Sequence, residues 1–222
     1  MTLEEQLFTH GYARMRDALT KAECRALRGL YDEDGLFRSR VVMARHNFGS
    51  GEYKYFAYPL PEIVASLREA LYRDLVQAAN RWNELLRLEQ RYPPTLKEYL
   101  RECALHGQTR PTPLLLHYRA GDYNCLHQDT YGELAFPFQA TYFLSERSEY
   151  EGGEFVLVEQ RPRAQSRPIV FAPERGECIV IPNRYRPIRG KTRVYRSVFR
   201  HGVSEIRSGE RYALGVILHD AV

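Results

Sequence analysis

The sequence predicts an α+β protein, mainly β, in which short antiparallel strands form a sandwich or jelly roll braced by N-terminal helices. Three observations carry this. Residues 2 to about 106 space their apolar side chains as helices do, the texture from Thr112 onward changes to short β-branched and aromatic runs, and no helix-length connection separates those runs.

Thr20 and Glu23 have the spacing of a capping box, in which a hydroxyl and a carboxylate satisfy free backbone N–H groups, and Cys24, Leu27 and Leu30 follow at helical intervals. A longer helix is expected from Pro61, a residue suited to a first turn. It would place Leu67, Leu71, Leu75, Ala78, Trp82 and Leu85 on one packing face. Pro93 and Pro94 stop it, and Thr95 with Glu98 opens another short helix. The strands then read LLLHY, FQATYFLS, EFVLVEQ, CIVIP, RSVFRHGV and RYALGVILH. Turns are expected at Gly121-Asp122, Gly152-Gly153, Gly176 and Ser208-Gly209. About 110 residues suffice for the eight strands of a jelly roll.

A length of 222 residues, 44% hydrophobic and 27% charged, suits one core and hence one domain, 1–222, with mainly helical support in 1–110 and a β core in 111–222. The longest apolar runs, such as Cys178 to Pro182, fall far short of the roughly 20 residues that span a bilayer, so no membrane segment is expected. The N-terminal MTLEEQLFTHGY carries acids where a secretory leader would carry positive charge, and a cytoplasmic location is expected. Cys24, Cys103, Cys125 and Cys178 lie far apart, which excludes a CxxC zinc or dithiol site and leaves reduced, mostly buried thiols. The net charge of +4 hides an uneven distribution, since Arg161 to Arg211 holds thirteen Arg or Lys against four Glu.

The chemistry concentrates in the second half. His127 and Asp129 are two residues apart, a spacing that projects both to one side of an extended segment, and His201 lies on a later strand. Two imidazoles and one carboxylate can occupy one face of an octahedral ferrous ion and leave three positions open. An HxD pair alone arises by chance in a chain with seven His; the distal half adds specificity. Arg211 follows His201 by ten residues, across the expected Ser208-Gly209 turn on an adjoining strand, and can meet a carboxylate with two parallel hydrogen bonds. Ala213 and Gly215 share its face by alternation and leave room for a ligand, and the Tyr118 hydroxyl is placed to serve the same carboxylate.

YRAG at 118–121, HQD at 127–129, TYFLS at 141–145, GGEF at 152–155, GECIVI at 176–181, and His201 with Arg211 resemble the ordered motifs of the Fe(II) and 2-oxoglutarate-dependent oxygenases of the prolyl hydroxylase type. The segments FPFQATYFLSE and GGEFVLVEQRPRAQS look like a subgroup labelled as acting on damaged DNA. The resemblance covers roughly the C-terminal half. It implies a double-stranded β-helix, Fe(II) on His127, Asp129 and His201, 2-oxoglutarate on Arg211 and Tyr118, and O2 as second cosubstrate. It also implies hydroxylation of a carbon–hydrogen bond with release of succinate and CO2. The charges balance, because Fe(II), Asp129 and doubly ionised 2-oxoglutarate leave one negative charge that Arg211 cancels. One departure is Ile181-Pro182-Asn183 where the family often has an aromatic, which affects the expected pocket wall.

His117 projects opposite to Tyr118, and His10, His46, His106 and His219 lack partner spacing, so none is assigned a ligand role; Cys125 reads as a small packing residue near the iron. The stretches 38–58 and 184–200 interleave cations with aromatics, as strands that bind single-stranded or damaged nucleic acid do, and an arginine-rich solvated surface is the competing explanation. Part of 184–200 is expected to border the iron mouth. The substrate classes left open are a methylated nucleic-acid base, a protein side chain such as proline and a small molecule, with a non-catalytic iron or 2-oxoglutarate sensor as the alternative from another class.

Overall fold

The computed structural model describes residues 1–222, and three of its four α-helices open on a Thr/Glu capping box. These are α1 (Leu3–His10), α2 (Lys21–Gly29) and α4 (Leu96–Leu105); α3 (Glu62–Leu85) starts after Pro61. The N-terminal half also contains β1 (Ala13–Met15), β2 (Phe37–Val42), β3 (Gly49–Ser50) and β4 (Glu52–Phe56). After α4 come β5 (Leu114–Arg119), β6 (Tyr123–His127), β7 (Phe138–Phe143), β8 (Tyr150–Gly152) and β9 (Phe155–Gln160). The last are β10 (Arg167–Phe171), β11 (Cys178–Pro182), β12 (Tyr185–Arg189), β13 (Val194–Val203) and β14 (Ile206–Ile217). No helix is long and apolar enough to cross a membrane.

All strand pairs are antiparallel, and they form two sheets. The larger runs β1-β11-β7-β14-β5-β4-β2, with β8 also on β14; the smaller runs β10-β9-β13-β6-β3, with β12 also on β13. This is the expected mainly β, double-stranded β-helix class.

Alternation along the larger sheet separates core from site. On β7, Phe138, Ala140 and Tyr142 pack in the main core with Leu71, Leu75, Ala78 and Trp82 of α3, whereas Gln139 and Thr141 face the cavity between the sheets. On β14, Leu214 and Val216 join the helices while Arg211, Ala213 and Gly215 face the cavity. On β5, Leu115 faces the helices, and Leu114, Leu116 and Tyr118 the cavity. A second cluster, including Phe143, Phe155, Leu157, Ile179 and Phe199, fills the rest of the space between the sheets.

Three expectations need correction. The helical reading of 2–106 missed the four N-terminal strands, because the charged residues of FRSRVV and EYKYF masked the alternation. Arg40 pairs with Glu52 across the strands, Lys54 pairs at 2.7 Å with Asp34 in the turn before β2, and β2 lies at a sheet edge where charge is tolerated. Second, Ser208-Gly209 is no turn but lies inside β14, with Gly209 at φ +78 opposite Tyr150 of β8. A Cβ there would collide with the Glu149 carbonyl oxygen. Third, β13 and β14 belong to different sheets, so His201 and Arg211 meet across the cavity and not along neighbouring strands.

The C-terminal end of β14 is tied to α3 by Arg68, which is buried. Its Nη2 donates to Asp220 Oδ1 at 2.7 Å and its Nε to the Ile217 carbonyl at 3.0 Å. Removing one partner of a buried pair leaves an uncompensated charge, so Arg68→Met should lower unfolding stability by about 3–5 kcal/mol in urea titration. An unchanged midpoint would show that the pair does not hold this end of the sheet.

Candidate active site

His127 ends β6 and lies directly across from His201 on β13, with ring centroids 4.2 Å apart. Asp129 follows two residues later, where the chain has left the sheet. Its Oδ2 lies 3.3 Å from His201 Nε2 and its Oδ1 3.6 Å from His127 Nε2. The three donor atoms all fall within 4.8 Å of one another, so this set can hold a metal ion. His127 Nδ1 is 2.8 Å from the Cys125 carbonyl. A carbonyl only accepts, so Nδ1 carries the proton and Nε2 keeps its lone pair toward the cluster.

Electrostatics prepares the donors for a cation. Burial opposes ionisation of Asp129, but the hydrogen bond to His201, the two imidazoles and the Tyr131 hydroxyl outweigh it and hold the carboxyl well below its ordinary range. Burial, and then the neighbouring His127, push the proton affinity of His201 down, against the pull of Asp129. An ionised carboxylate beside a neutral imidazole is the form that ligates metal.

The same cavity, about 350 Å³, contains Arg211. Its side chain is 1% exposed, and Nε, Nη1 and Nη2 have no hydrogen-bond partner. The Tyr118 and Phe143 rings lie 5.5 and 5.1 Å from the guanidinium, and Tyr118 sits opposite it in the β14–β5 register. Asn124 Nδ2 donates to the Tyr118 hydroxyl oxygen at 3.3 Å, so the hydroxyl hydrogen is free for an acceptor in the cavity. Burial pushes the Tyr118 pKa up to about 12, which keeps it a donor.

All five residues singled out from the sequence, His127, Asp129, His201, Arg211 and Tyr118, therefore line one cavity, with Ala213 and Gly215 beside Arg211. Others had escaped notice. Gln139, whose Nε2 lies 3.2 Å from His201 Nε2, and Thr141 were legible in the alternation of FQATYF. Tyr131, on an irregular stretch, gave no sequence signal; its hydroxyl donates to Asp129 Oδ1 at 2.6 Å. Tyr53 and Tyr55, counted among the aromatics of 38–58, turn into the cavity wall.

The basic stretches also differ from expectation. No residue of 184–200 lines the cavity. Arg186 is buried, donates to the Phe8 and Thr9 carbonyls and pairs with Glu159, while Arg184 and Arg196 lie over the Tyr185 ring at 4.6 and 5.3 Å. Within 38–58, Arg38 donates to the Pro111 carbonyl, and the exposed part at the cavity is Asn47 and Phe48, next to Arg45 and His46. Cys125 is exposed in the cavity wall and is not a packing residue; the other three cysteines are buried. His117 is structural, stacked on Tyr212 at 4.1 Å. His219 is fully buried, accepts from the Phe136 N–H, and has its pKa pulled down to about 3 by burial. Ile181, Pro182 and Asn183 are buried outside the cavity, so the departure from the family pattern there leaves its wall untouched.

A double-stranded β-helix that gathers two imidazoles, a carboxylate and an unpartnered arginine in one cavity is the arrangement of an oxygenase that uses Fe(II), 2-oxoglutarate and O2. A family model described as an oxygenase catalysing oxidative methylation of damaged DNA matches residues 51–221, and the chain belongs to that family. It is 47% identical over 167 residues to an uncharacterized protein of Mycobacterium tuberculosis, covering 75% of this chain and 72% of that one. Among solved structures it is similar to a prolyl-4-hydroxylase of Pseudomonas putida (TM-score 0.55, 16% identity, 96% of this chain and 94% of that chain). It is also similar to a 2OG-Fe(II) oxygenase family oxidoreductase of Burkholderia pseudomallei (TM-score 0.58, 17% identity, 99% and 91%). A third is a Trichoplax adhaerens prolyl hydroxylase in complex with a hypoxia inducible factor oxygen degradation domain peptide fragment (TM-score 0.59, 13% identity, 96% and 86%). At these identities the structural likeness is one of fold.

An unpartnered buried cation destabilises the empty protein. The near-isosteric Arg211→Met should therefore raise the stability of the ligand-free protein by about 1–3 kcal/mol, while 2-oxoglutarate should raise the melting temperature of the parent and not that of the variant. Lower ligand-free stability, or a retained thermal shift, would contradict this account of the guanidinium.

Proposed function

We propose that the enzyme oxidises an alkyl group on a damaged nucleic-acid base, with iron on His127, Asp129 and His201, and 2-oxoglutarate on Arg211 and Tyr118. The observation that carries the site assignment is the unpaired guanidinium of Arg211 in the same cavity as the His-Asp-His cluster. A doubly ionised dicarboxylate fits that pairing, with one end at the cation and the other at a metal. When bound, Fe(II) with 2-oxoglutarate and O2 supplies the oxidising power that hydroxylates a carbon–hydrogen bond and yields succinate and CO2.

The chain's own residues bind and orient. Arg211 offers two parallel N–H donors to the far carboxylate, and the Tyr118 hydroxyl offers a third. Ala213 and Gly215 make space for the ligand, and an added Cβ at Gly215 would lie 2.9 Å from Leu114 Cδ2. The Cys125 carbonyl fixes the His127 ring in the tautomer that leaves Nε2 unprotonated. Tyr53, Tyr55, Leu114 and Phe155 make the wall largely apolar, which excludes water around the reacting atoms.

Two features support a base as substrate: the description of the matching family, and the mouth of the cavity. There Phe48 is 48% exposed, stacked on His46 with centroids 5.3 Å apart, and Arg45 beside them is exposed. An exposed ring pair next to a cation suits a base and its phosphate. Oxidation of an N-methyl group gives a hemiaminal that releases formaldehyde, so hydroxylation alone restores the base. We also infer that 1–222 works as one oxygenase domain, because α3 packs on the outer face of the sheet whose inner face holds Arg211.

The Fe(II)-loaded protein should convert 2-oxoglutarate to succinate faster with an N-methylated single-stranded oligonucleotide, releasing formaldehyde, and Asp129→Ala should abolish turnover. Turnover unaffected by any such oligonucleotide would redirect the substrate to peptides or metabolites, and activity in Asp129→Ala would refute the ligand set. Loss of one stacking ring weakens single-strand binding by about 1–3 kcal/mol, so Phe48→Ala should raise the oligonucleotide KM about tenfold. An unchanged KM would remove the mouth from the substrate path.

A further inference from the structure

Asp129 is the one member of the metal cluster that no secondary structure holds, since residues 128–137 form neither strand nor helix. A carboxylate on such a stretch has torsional freedom that the two histidines, fixed on paired strands, do not have. What restrains it is a chain of side chains. Tyr131 donates to Asp129 Oδ1 at 2.6 Å, and the Tyr55 and Tyr131 hydroxyls are 3.1 Å apart. Each hydroxyl has one proton; Tyr131 gives its proton to the carboxylate, so Tyr55 must donate to Tyr131, and the donors run in one direction.

The far end of this chain is rigid. Tyr55 sits on β4, opposite Leu114 of β5, with the Arg38 guanidinium 4.5 Å from its ring centroid. Arg38 is itself fixed by the Pro111 carbonyl at 3.0 Å. The Tyr131 backbone is held separately, its carbonyl accepting from Gln108 Nε2 at 3.0 Å. The chain thus connects a strand paired on both sides to one oxygen of the carboxylate.

We propose that Tyr131, anchored by Tyr55, is a positioning residue that occupies Asp129 Oδ1 and presents Oδ2 alone to the metal. Oδ2 is the oxygen nearer His201 Nε2, at 3.3 Å, while Oδ1, which takes the Tyr131 hydrogen bond, lies farther off, 3.6 Å from His127 Nε2. A carboxylate restricted to one oxygen leaves the remaining positions of an octahedral ion free for cosubstrates, whereas a chelating carboxylate would take one of them. This inference rests on the assignment of Asp129 as a metal ligand.

The test is anaerobic Co(II) titration, followed by the visible spectrum of the bound ion, of the full chain and its Tyr131→Phe, Tyr55→Phe, doubly substituted and Asp129→Ala forms. Circular dichroism first establishes that each is folded at the titration temperature. Removing a hydrogen-bond partner of a metal ligand typically weakens metal binding about 10–100-fold, and that is expected for Tyr131→Phe, with an altered Co(II) band. Tyr55→Phe should have a smaller effect, and adding it to Tyr131→Phe should change affinity by no more than about twofold, because both act through one hydrogen bond. Parent-like affinity and spectrum in Tyr131→Phe, with binding lost in Asp129→Ala, would overturn the positioning role and leave the ligand set standing. Fully additive effects of the two tyrosines would also overturn it. Parent-like Co(II) binding by Asp129→Ala would instead refute the ligand assignment on which the role depends.

Discussion

A positive charge enclosed without a partner is the constraint around which this molecule is arranged. Arg211 lies on β14, paired on one side with β5 and on the other with β7, so its backbone cannot swing the side chain toward water. Its three nitrogens face a cavity that offers aromatic faces and no carboxylate within hydrogen-bonding distance. An ion without a partner destabilises the empty state by about 1–3 kcal/mol, and an anion that met its donors would recover that energy. Such a cation suits an acidic ligand, independently of any metal at the His-Asp-His cluster. The small residues at 213 and 215 keep the volume beside the cation open.

The same strands that hold the charge also hold the core. On β5, β7 and the 211–217 part of β14, Leu115, Ala140, Leu214 and Val216 pack with the helices, while Leu116, Thr141, Arg211, Ala213 and Gly215 between them line the cavity. A shift of register by one residue would drive Arg211 into the helix layer and expose Leu214 and Val216 to the cavity, so hydrophobic burial fixes the position of the functional groups. The long helix α3 serves the site indirectly, by covering the outer face. Trp82, which also donates to the Tyr185 carbonyl at 2.7 Å, further ties it to β12.

Legibility in the sequence followed physical regularity. Strands with one apolar face, such as FQATYFLS and RYALGVILH, could be read from alternation. The His-Asp-His cluster was readable because the residue types and their order in the sequence are distinctive. The N-terminal strands were not readable, because their cations are neutralised by cross-strand partners that become visible only after folding, as Arg40 and Glu52 are. The basic run 184–200 misled for a related reason: Arg186 spends its donors on the Phe8 and Thr9 carbonyls and on Glu159. A count of charges cannot distinguish an arginine that pins two segments together from one that waits for phosphate. Tyr131 escaped because a loop has no periodicity against which a functional residue would stand out.

The N-terminal half contributes to both the core and the cavity. The family match begins at residue 51 and so takes in β4, whose Tyr53 and Tyr55 belong to the cavity wall. The helices α1 and α2 lie outside that match; Leu7, Cys24 and Leu27 enter the main core, and none of these three lines the cavity. The stretch from 38 to 58 is therefore divided between bracing and chemistry. Arg38 and Lys54 hold the strands, Tyr53 and Tyr55 shape the space around the His-Asp-His cluster, and Arg45, His46 and Phe48 remain exposed. For the proposed nucleic-acid substrate, charge at the mouth would come from that exposed turn, because the larger basic run lines no part of the cavity. Under that proposal, a few contacts at the rim would hold the strand, and the enclosed cavity would select the group to be oxidised.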